Sequence, residues 1–229
     1  MKSFLDKSKQ LLEDEIINSF ACKKVLIAGI GGVGGTAFEA LVRSGFENFI
    51  LIDFDVVDIT NLNRQILYTS EDVGQEKLLT AKRKALKINE KAKIKLIKQQ
   101  IELNSFDNFS EKVDIIIDAI DYIPGKIALA KYATEHNIPF ISSLGMGNRI
   151  DPEKVTITKL NKTENDPLAK KLRYELKTNG IDLKTINVVF SKETPLIKSP
   201  KPASMMMVPS TAGLLIAKFV IDTFMEANK

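Results

Sequence analysis

The chain has 229 residues, of which 44% are hydrophobic and 27% charged, and its formal net charge is +4 at pH 7. This balance is typical of a folded globular domain and excludes the disordered, fibrous and disulfide-stapled classes. A single cysteine, Cys22, excludes an intramolecular disulfide and a zinc site built from several cysteines, and we expect it to pack as a small apolar side chain.

The first half of the chain alternates predicted helices and strands. Apolar residues at near-helical spacing predict one amphipathic helix over residues 4–20. A glycine-rich turn then joins a buried strand to a second helix, and the next strand completes a βαβ unit. Predicted strands occupy residues 24–28, 48–52, 94–98, 113–118 and 138–144, and further helices occupy residues 75–89 and 125–136. This order predicts a doubly wound, Rossmann-like α/β fold with a mainly parallel sheet and helices on both faces.

Beyond residue 151 the pattern changes to a C-terminal α+β extension. Strands near residues 155–160 and 186–190 flank a helix at 167–178, and a Pro- and Lys-rich loop at 195–202 precedes a largely buried helix at 209–225. No apolar run approaches the roughly 20 residues of a membrane helix. The first residues turn polar too early for a signal peptide. We therefore expect a cytoplasmic protein with no membrane partner.

The glycine-rich turn, GIGGVGG at residues 29–35, predicts a phosphate site. Small residues let the backbone turn tightly and approach a phosphate, and the N–H groups and dipole of the helix N-terminus attract negative charge. Asp53 ends the next strand about 20 residues on, where a carboxylate can accept hydrogen bonds from ribose hydroxyls. The pattern leaves nicotinamide, flavin and ATP open as the nucleotide. The glycines assigned to it are Gly29, Gly31, Gly32 and Gly34.

Further polar residues follow the predicted strands in a fixed order. They are Asp53 and Asp55, the run Asn61-Leu62-Asn63-Arg64-Gln65, Lys77, and Asp118 with Asp121. Ligands of open α/β sheets bind at the edge where the strands end, so we expect these side chains to lie around the nucleotide. The set resembles the adenylating domain of ubiquitin-activating enzymes and of bacterial relatives that charge sulfur-carrier proteins.

Four further segments narrow the resemblance to one branch of that superfamily. They are residues 142–152, 166–169, 188–193 and 208–213. With them, nearly the whole chain resembles the tRNA threonylcarbamoyladenosine dehydratases. The resemblance implies an ATP-dependent ligase that adenylates the threonylcarbamoyl carboxylate of N6-threonylcarbamoyladenosine in tRNA. An internal nucleophile would then displace AMP and close a ring, with net loss of water.

The resemblance also implies roles for single residues. Arg64 and Lys77 would neutralise the triphosphate and its pyrophosphate leaving group. Asp121 would hold Mg²⁺, because hard oxygen ligands suit that ion, and Asp53 would bind the ribose. The remaining pocket residues are Asp55, Asn61, Asn63 and Gln65. Without the motif, Lys77 would be interpreted as a solvated helix residue and Asp121 as a helix N-cap.

The expected organisation and partners follow from the same resemblance. It implies one adenylating domain with an N-terminal helix at 1–23, a nucleotide-binding core at 24–150 and an extension at 151–229 on the tRNA side. It also implies a homodimer and a cysteine desulfurase or sulfur-acceptor relay partner. Between Lys82 and Lys98, eight bases face one acid. With Lys170, Lys171, Arg173, Lys177 and the loop 198–201, they could form a track for the tRNA backbone, whereas a solvated helix face is the alternative.

One feature departs from the family pattern. The resemblance implies an Arg-rich segment near the start that lends an arginine to the partner's active site in a dimer. Here the N-terminal stretch carries lysines only, among them Lys7, Lys9, Lys23 and Lys24. Three interpretations remain open: a lysine substitutes, another residue stabilises the phosphate, or the protein adenylates poorly.

Three other functions also remain open. Activation of a small sulfur-carrier protein ending in Gly-Gly is disfavoured by the missing cysteines. A nicotinamide-dependent oxidoreductase shares the first βαβ unit but does not explain Asn61 to Gln65, Lys77 or Asp121. A catalytically silent nucleotide-binding scaffold is motivated by the absent arginine. The lone histidine, His136, has no recognisable partner motif and is interpreted as structural.

Overall fold

The computed structural model describes residues 2–197, 199 and 202–226. Its strands are β1 (Lys24–Ala28), β2 (Asn48–Asp53), β3 (Lys93–Lys98), β4 (Ile115–Asp118), β5 (Phe140–Ser143), β6 (Val155–Lys159) and β7 (Asn187–Ser191). Its α-helices are α1 (Asp6–Leu11), α2 (Asp14–Phe20), α3 (Gly32–Arg43), α4 (Lys77–Ile88), α5 (Ile123–Glu135), α6 (Pro167–Thr178) and α7 (Met207–Glu226). The strand and helix order expected from the sequence is present, with boundaries that differ by a few residues.

All seven strands form one sheet in the order β3-β2-β1-β4-β5-β7-β6. Neighbouring strands are parallel, apart from β6, which pairs antiparallel with β7. The strand order reverses between β1 and β4, and such a switch point leaves a crevice at the carboxyl ends of the strands. The doubly wound α/β fold is confirmed, and the strands of the C-terminal extension extend the same sheet.

The sheet is buried on both faces, which explains the continuous apolar runs of its central strands. Side chains alternate along a strand, so Val25 and Ile27 face the core cluster beneath α3, α4 and α7. Leu26 and Ala28 face the second cluster, beneath α5 and α6. Each face of the sheet is thus covered by helices, and the loops at its carboxyl edge lie between these helices.

The helix α7 packs closely against α3. Among the described residues it is the one helix long and apolar enough, by length and composition, to cross a membrane, which departs from the expectation of no such segment. Half of its most apolar window is buried inside the molecule. A Cβ placed on Gly213 would lie 2.5 Å from the Val33 carbonyl oxygen, so a glycine is required where the two helices cross.

The N-terminal region differs from the single helix expected over residues 4–20. It forms two short helices, separated by Leu12 and Glu13, whose backbones are extended at ψ 148° and ψ 145°. Leu5, just before the first helix, and Phe20, at the end of the second, both reach the same core cluster. Cys22 lies just after them and is exposed, so the expectation that it packs is wrong.

Candidate functional site

A cavity of about 940 Å³ opens at the carboxyl ends of β1, β2, β4 and β5. Ten of the twelve site residues expected from the sequence line it: Gly29, Gly31, Gly32, Asp53, Asp55, Asn61, Arg64, Gln65, Lys77 and Asp121. Gly34 and Asn63 do not line it, and both have other contacts. The topology therefore gathers residues that are up to 92 positions apart (121 − 29) around one space.

The glycine turn is shaped by backbone contacts on one side and open on the other. Gly29 has φ +86°, and a Cβ there would lie 2.7 Å from the Ala119 carbonyl oxygen. A Cβ on Gly34 would lie 1.9 Å from the Gly29 oxygen, so Gly34 acts in packing the turn. A Cβ on Gly31 would meet only the Gln65 amide nitrogen, at 3.8 Å. The space over Gly31 is thus free for a ligand, beside the first N–H groups of α3, which lack intrahelical acceptors.

Asp53 holds the glycine turn against the end of β2. Its carboxylate is 8% exposed and accepts hydrogen bonds from the Ile30 N–H at 2.7 Å and the Asp55 N–H at 2.9 Å. The Tyr68 hydroxyl donates to the Ile30 carbonyl at 2.8 Å, and burial, followed by the nearby charges of Asp53 and Asp55, raises the pKa of Tyr68. Each Asp53 oxygen has a second lone pair, so the carboxylate can still accept bonds from a ligand hydroxyl.

Lys77 is a buried cation at the start of α4. Its ammonium lies 2.7 Å from the Asp55 carboxylate, and the two side chains are 7% and 47% exposed respectively. An ammonium has three donors, so Lys77 can keep this pair and still donate into the cavity. The structure does not support the interpretation of Lys77 as a solvated helix residue.

The segment that carries Arg64 is a short 3₁₀ helix, Ile59–Asn61, followed by a turn. The Asn61 side chain accepts from the Asp58 N–H at 3.2 Å in a capping box. The Arg64 guanidinium donates to the Thr60 carbonyl at 2.7 Å and to the Asn63 side-chain oxygen at 3.0 Å. These bonds orient Arg64, whose remaining donors stay available.

Asn63 and Gln65, on either side of Arg64, have different surroundings. The Asn63 amide donates to the Ser204 carbonyl at 2.8 Å, so Asn63 joins the motif to the chain that leads into α7. Gln65 is 6% exposed, and its Oε1 has no hydrogen-bond partner among the described residues. A buried acceptor without a partner costs about 1–3 kcal/mol, which a ligand donor would recover.

Asp121 follows β4 and is exposed to solvent at the cavity. It makes no ion pair or hydrogen bond with any residue that the structure describes. The residue at the N-cap of α5 is Tyr122, which has no side-chain capping bond, so the N-cap alternative for Asp121 is not supported. The described residues contain no group of three or more acidic, histidine or cysteine side chains that could hold a metal ion.

A buried charge network lies beneath the cavity. It contains Asp118, which was expected beside the nucleotide but is fully buried and does not line the cavity. Lys126 and Asp118 are both 0% exposed, and the ammonium lies 3.0 Å from the carboxylate. Lys126 also donates to the Ser142 hydroxyl at 3.1 Å and the Ser143 carbonyl at 2.6 Å. Ser142 donates to Asp118 at 2.6 Å, so the network ties the ends of β4 and β5 together. The sequence signal for it was a lysine on the apolar face of a helix.

A second group beyond the expected set holds the far half of the cavity. Arg149 is 6% exposed and donates to the carbonyls of Gly145 and Glu193, at 2.5 and 3.0 Å. The Asp166 carboxylate accepts from the Gly145 N–H at 3.1 Å and caps α6 through the Ala169 N–H at 3.0 Å. Both residues lie in segments that carry the family resemblance, 142–152 and 166–169, and the sequence predicts no role for either. Their hydrogen bonds tie together the loop after β5, the chain after β7 and the start of α6, which form part of the cavity wall.

The predicted tRNA track is partly neutralised by acids. Arg83 and Lys84 contact Asp72 at 2.5 and 2.6 Å, and further pairs join Lys95 to Glu111 and Lys98 to Glu76. Burial raises the pKa of Asp72, but hydrogen bonds from Lys84, Thr69 and Arg83 lower it by more, so the pKa lies well below the usual range. Lys198 and Lys201, at the ends of the expected loop, lie outside the described residues.

The N-terminal lysines do not replace the missing arginine within this chain. Lys24 begins β1, at the edge of the sheet opposite the cavity, and pairs with Glu111 at 3.2 Å. Lys23 lies 5.2 Å from the centre of the Phe224 ring. Neither side chain of this chain is positioned to contact a nucleotide in the cavity.

Comparisons with known proteins agree with this architecture. Residues 9–191 match the ThiF family. A tRNA threonylcarbamoyladenosine dehydratase of Bacillus subtilis is 37% identical, over 86% of this chain and 85% of its own length. The tRNA threonylcarbamoyladenosine dehydratase 2 of Saccharomyces cerevisiae is 34% identical over 91% of this chain, but the match spans 46% of the yeast protein.

A solved structure supports the same grouping. The tRNA N6-threonylcarbamoyladenosine dehydratase of Escherichia coli, crystallised in complex with ATP, is 32% identical and superposes with a TM-score of 0.91, covering 97% of this chain and 93% of that one. On sequence and structure together, the chain belongs to the ThiF family, in the group that contains the tRNA threonylcarbamoyladenosine dehydratases.

Proposed function

We propose that this protein uses ATP to adenylate the threonylcarbamoyl carboxylate of N6-threonylcarbamoyladenosine in tRNA, and that cyclisation with net loss of water follows. The observation that carries the proposal is the cavity at the strand ends, where the open glycine turn faces Arg64 and Lys77. The similarity to an ATP-bound dehydratase over almost the whole chain supports it.

The residues around the cavity fit ATP. The space over Gly31 is open to a phosphate, and Asp53 retains acceptor capacity for a ribose. The Gln65 Oε1 atom offers a buried acceptor to a hydroxyl or amino group of the nucleotide. We assign Gly29, Gly32, Asp55 and Asn61 to the same pocket because they line it. We assign Gly34 to the packing of the turn and Asn63 to the orientation of Arg64.

The chemistry follows from the charges that must be stabilised. A carboxylate oxygen attacks the α-phosphorus of ATP, and the bond to pyrophosphate breaks. Negative charge then grows on the phosphoryl oxygens and the leaving group, where Arg64 offers a planar fork and Lys77 a compact cation. An internal nucleophile of the threonylcarbamoyl group attacks the activated carbon, and AMP leaves with one carboxylate oxygen. Loss of that oxygen and of two protons accounts for the net loss of water.

We propose Asp121 as a ligand of Mg²⁺. A lone exposed carboxylate beside a phosphate site suits this ion, which keeps several waters and binds through one or two carboxylates together with phosphate oxygens. Bound Mg²⁺ would neutralise phosphate charge. Asp121 would hold it just after β4, in the cavity that Arg64 and Lys77 also line.

Partners are proposed on the same basis. We propose tRNA as the substrate, a homodimeric assembly, a sulfur-relay partner such as a cysteine desulfurase, and a cytoplasmic location. The domain division into 1–23, 24–150 and 151–229 stays a proposal. In it, residues 151–229 form the side of the cavity that receives the tRNA, and Asp166 and Pro167 line the cavity there. Cys22 precedes β1 and lies at the opposite edge of the sheet, which argues against its use in transfer to a carrier protein.

The test is pyrophosphate release by the purified protein with ATP and Mg²⁺, followed by mass spectrometry of the tRNA nucleosides. With tRNA that carries N6-threonylcarbamoyladenosine, we expect pyrophosphate and a nucleoside lighter by one water. The matched control is the same tRNA without the modification, which should give neither product. Stimulation by a carrier protein ending in Gly-Gly, or tight NADH binding without ATP binding, would overturn the proposal.

A further inference from the structure

Two basic helices begin beside the cavity and differ in the charge that they leave free. Lys77 starts α4 and Pro167 starts α6, and both residues line the cavity. A tRNA whose modified base enters the cavity would place its backbone on surface next to it, and these two helices carry lysines there. Free positive charge and an exposed ring favour RNA, whereas neutralised charge and exposed leucines favour protein contact.

On α4 part of the charge is neutralised and the surface is partly apolar. Asp72 pairs with both Arg83 and Lys84. Leu79 is 56% exposed and Leu86 is 37% exposed. These leucines are seven residues apart, which places them on one face of the helix. Lys87 stays exposed on α4 and forms no ion pair with a described residue, so this surface is not free of charge, but it is less suited to a phosphate backbone than one with no paired bases.

On α6 the outer surface is basic and carries an aromatic ring. Lys170, Tyr174 and Lys177 have i, i+4, i+7 spacing, so they share one face, which we name the α6 face. Both lysines are exposed and form no ion pair with any residue in the described part of the chain. Tyr174 is 69% exposed. The opposite side of the helix is buried through Ala169, Leu172 and Leu176.

The α6 face is also fixed relative to the cavity. Lys170 follows Pro167 by three residues, or about 4.5 Å along the helix axis. Asp166 caps the helix and accepts from the Gly145 N–H at 3.1 Å, and both residues line the cavity. An RNA group bound on this face is therefore held at a fixed distance from a base in the cavity.

We propose that the α6 face docks the tRNA, with Lys170 and Lys177 contacting phosphates and Tyr174 stacking on an unpaired base of the anticodon loop. Lysine contacts to phosphates give affinity without sequence readout, and aromatic rings stack on bases of single-stranded loops. This inference rests on the proposed function and adds a docking surface to it.

The first test measures tRNA affinity by fluorescence anisotropy over a salt series. The double variant Lys170→Ala/Lys177→Ala should bind about tenfold more weakly at physiological salt and reduce the slope of log affinity against log salt by roughly 1.4 to 1.8. The matched control is Lys87→Ala/Lys91→Ala, which removes two exposed lysines near α4 and should leave both quantities unchanged. An equal loss in the control, or no loss in the first variant, overturns the proposal.

The second test separates stacking from charge. Tyr174→Ala should weaken binding of an isolated anticodon stem-loop by roughly five- to 150-fold, which is the effect of removing one base stack. Tyr174→Phe keeps the ring and should bind as wild type. If both variants bind as wild type, Tyr174 does not stack and the docking surface is wrong.

Steady-state kinetics distinguish this inference from the proposed function. If wild-type protein releases pyrophosphate with modified tRNA, the α6 variants should raise KM for tRNA several-fold while kcat and ATP binding stay constant. A fall in kcat alone would contradict docking on the α6 face. If wild-type protein releases no pyrophosphate, the proposed function fails, whereas the anisotropy results still decide where RNA binds.

Discussion

Replacement of Lys126 by methionine tests whether the buried network holds the floor of the cavity. Methionine has a similar length and no charge, so Lys126→Met leaves the fully buried Asp118 carboxylate without its cation. Removing one partner of a buried pair typically costs about 3–5 kcal/mol, because the other charge stays buried and unpaired. For a protein of this length, that loss corresponds to a fall in Tm of roughly 6–20 °C.

The assay is urea unfolding followed by far-ultraviolet circular dichroism, since the chain has no tryptophan. The matched control on the same helix is Lys131→Met. Lys131 lies 3.8 Å from Glu135, and their side chains are 58% and 55% exposed. An exposed pair contributes little, so the control should change the free energy of unfolding by less than about 0.5 kcal/mol.

A double variant separates loss of charge balance from loss of packing. In Lys126→Met/Asp118→Asn no buried charge remains, and the amide can still accept from Ser142. The double variant should therefore recover at least about 1 kcal/mol relative to the sum of the two single changes. Two results would refute the reasoning: Lys126→Met within about 1 kcal/mol of wild type, or strictly additive effects in the double variant.

Three further predictions concern the site and its surroundings. Asp121→Asn should abolish pyrophosphate release. The free energy of unfolding should stay within about 0.5 kcal/mol of wild type, because the Asp121 side chain is exposed and has no partner among the described residues. Pyrophosphate release at the wild-type rate would contradict the metal role. Gly31→Ala should weaken ATP binding, measured by calorimetry, without unfolding the protein. Gly34→Ala should instead destabilise the fold, because a Cβ on residue 34 would lie 1.9 Å from the Gly29 carbonyl oxygen. Equal ATP affinity for Gly31→Ala and wild type would reject the phosphate cradle. The pKa of Asp72 is lowered in the folded state, so its stabilisation is present above the unfolded pKa near 3.8 and is lost as pH falls below it. Asp72→Asn should therefore lower the free energy of unfolding by about 2 kcal/mol at pH 7 and by progressively less below pH 4. If the difference in unfolding free energy between wild type and variant did not change with pH, the stabilisation would not come from the ion pairs of Asp72.

The sequence by itself determined the elements whose signals are local. Apolar runs without polar interruption predicted the strands buried on both faces, and proline with a preceding aspartate placed the start of α6 at Pro167. The glycine turn and Asp53 were located by spacing alone, because a phosphate cradle needs small residues between a strand and a helix. The doubly wound order followed from the alternation of these elements.

Only the tertiary structure decided contacts between distant residues. The Asn63 amide donates to the Ser204 carbonyl across 141 positions, and its side-chain oxygen accepts from Arg64, and neither the contact with Ser204 nor its partner follows from the local sequence. At the N-terminus, Leu5 and Leu12, which flank α1, pack against the same core cluster as Phe20 of α2, and this contact was not visible in the local pattern.

The charge network beneath the site has the same origin. Lys126 and Asp118 are separated by eight residues, and neither residue type predicts a fully buried position. Their burial is set by the packing of α5 against β4 and β5, and by acceptors from Ser142 and Ser143. Local periodicity can mark a lysine on an apolar helix face, but it does not identify the partner of that lysine, because the partner depends on which elements the fold brings together.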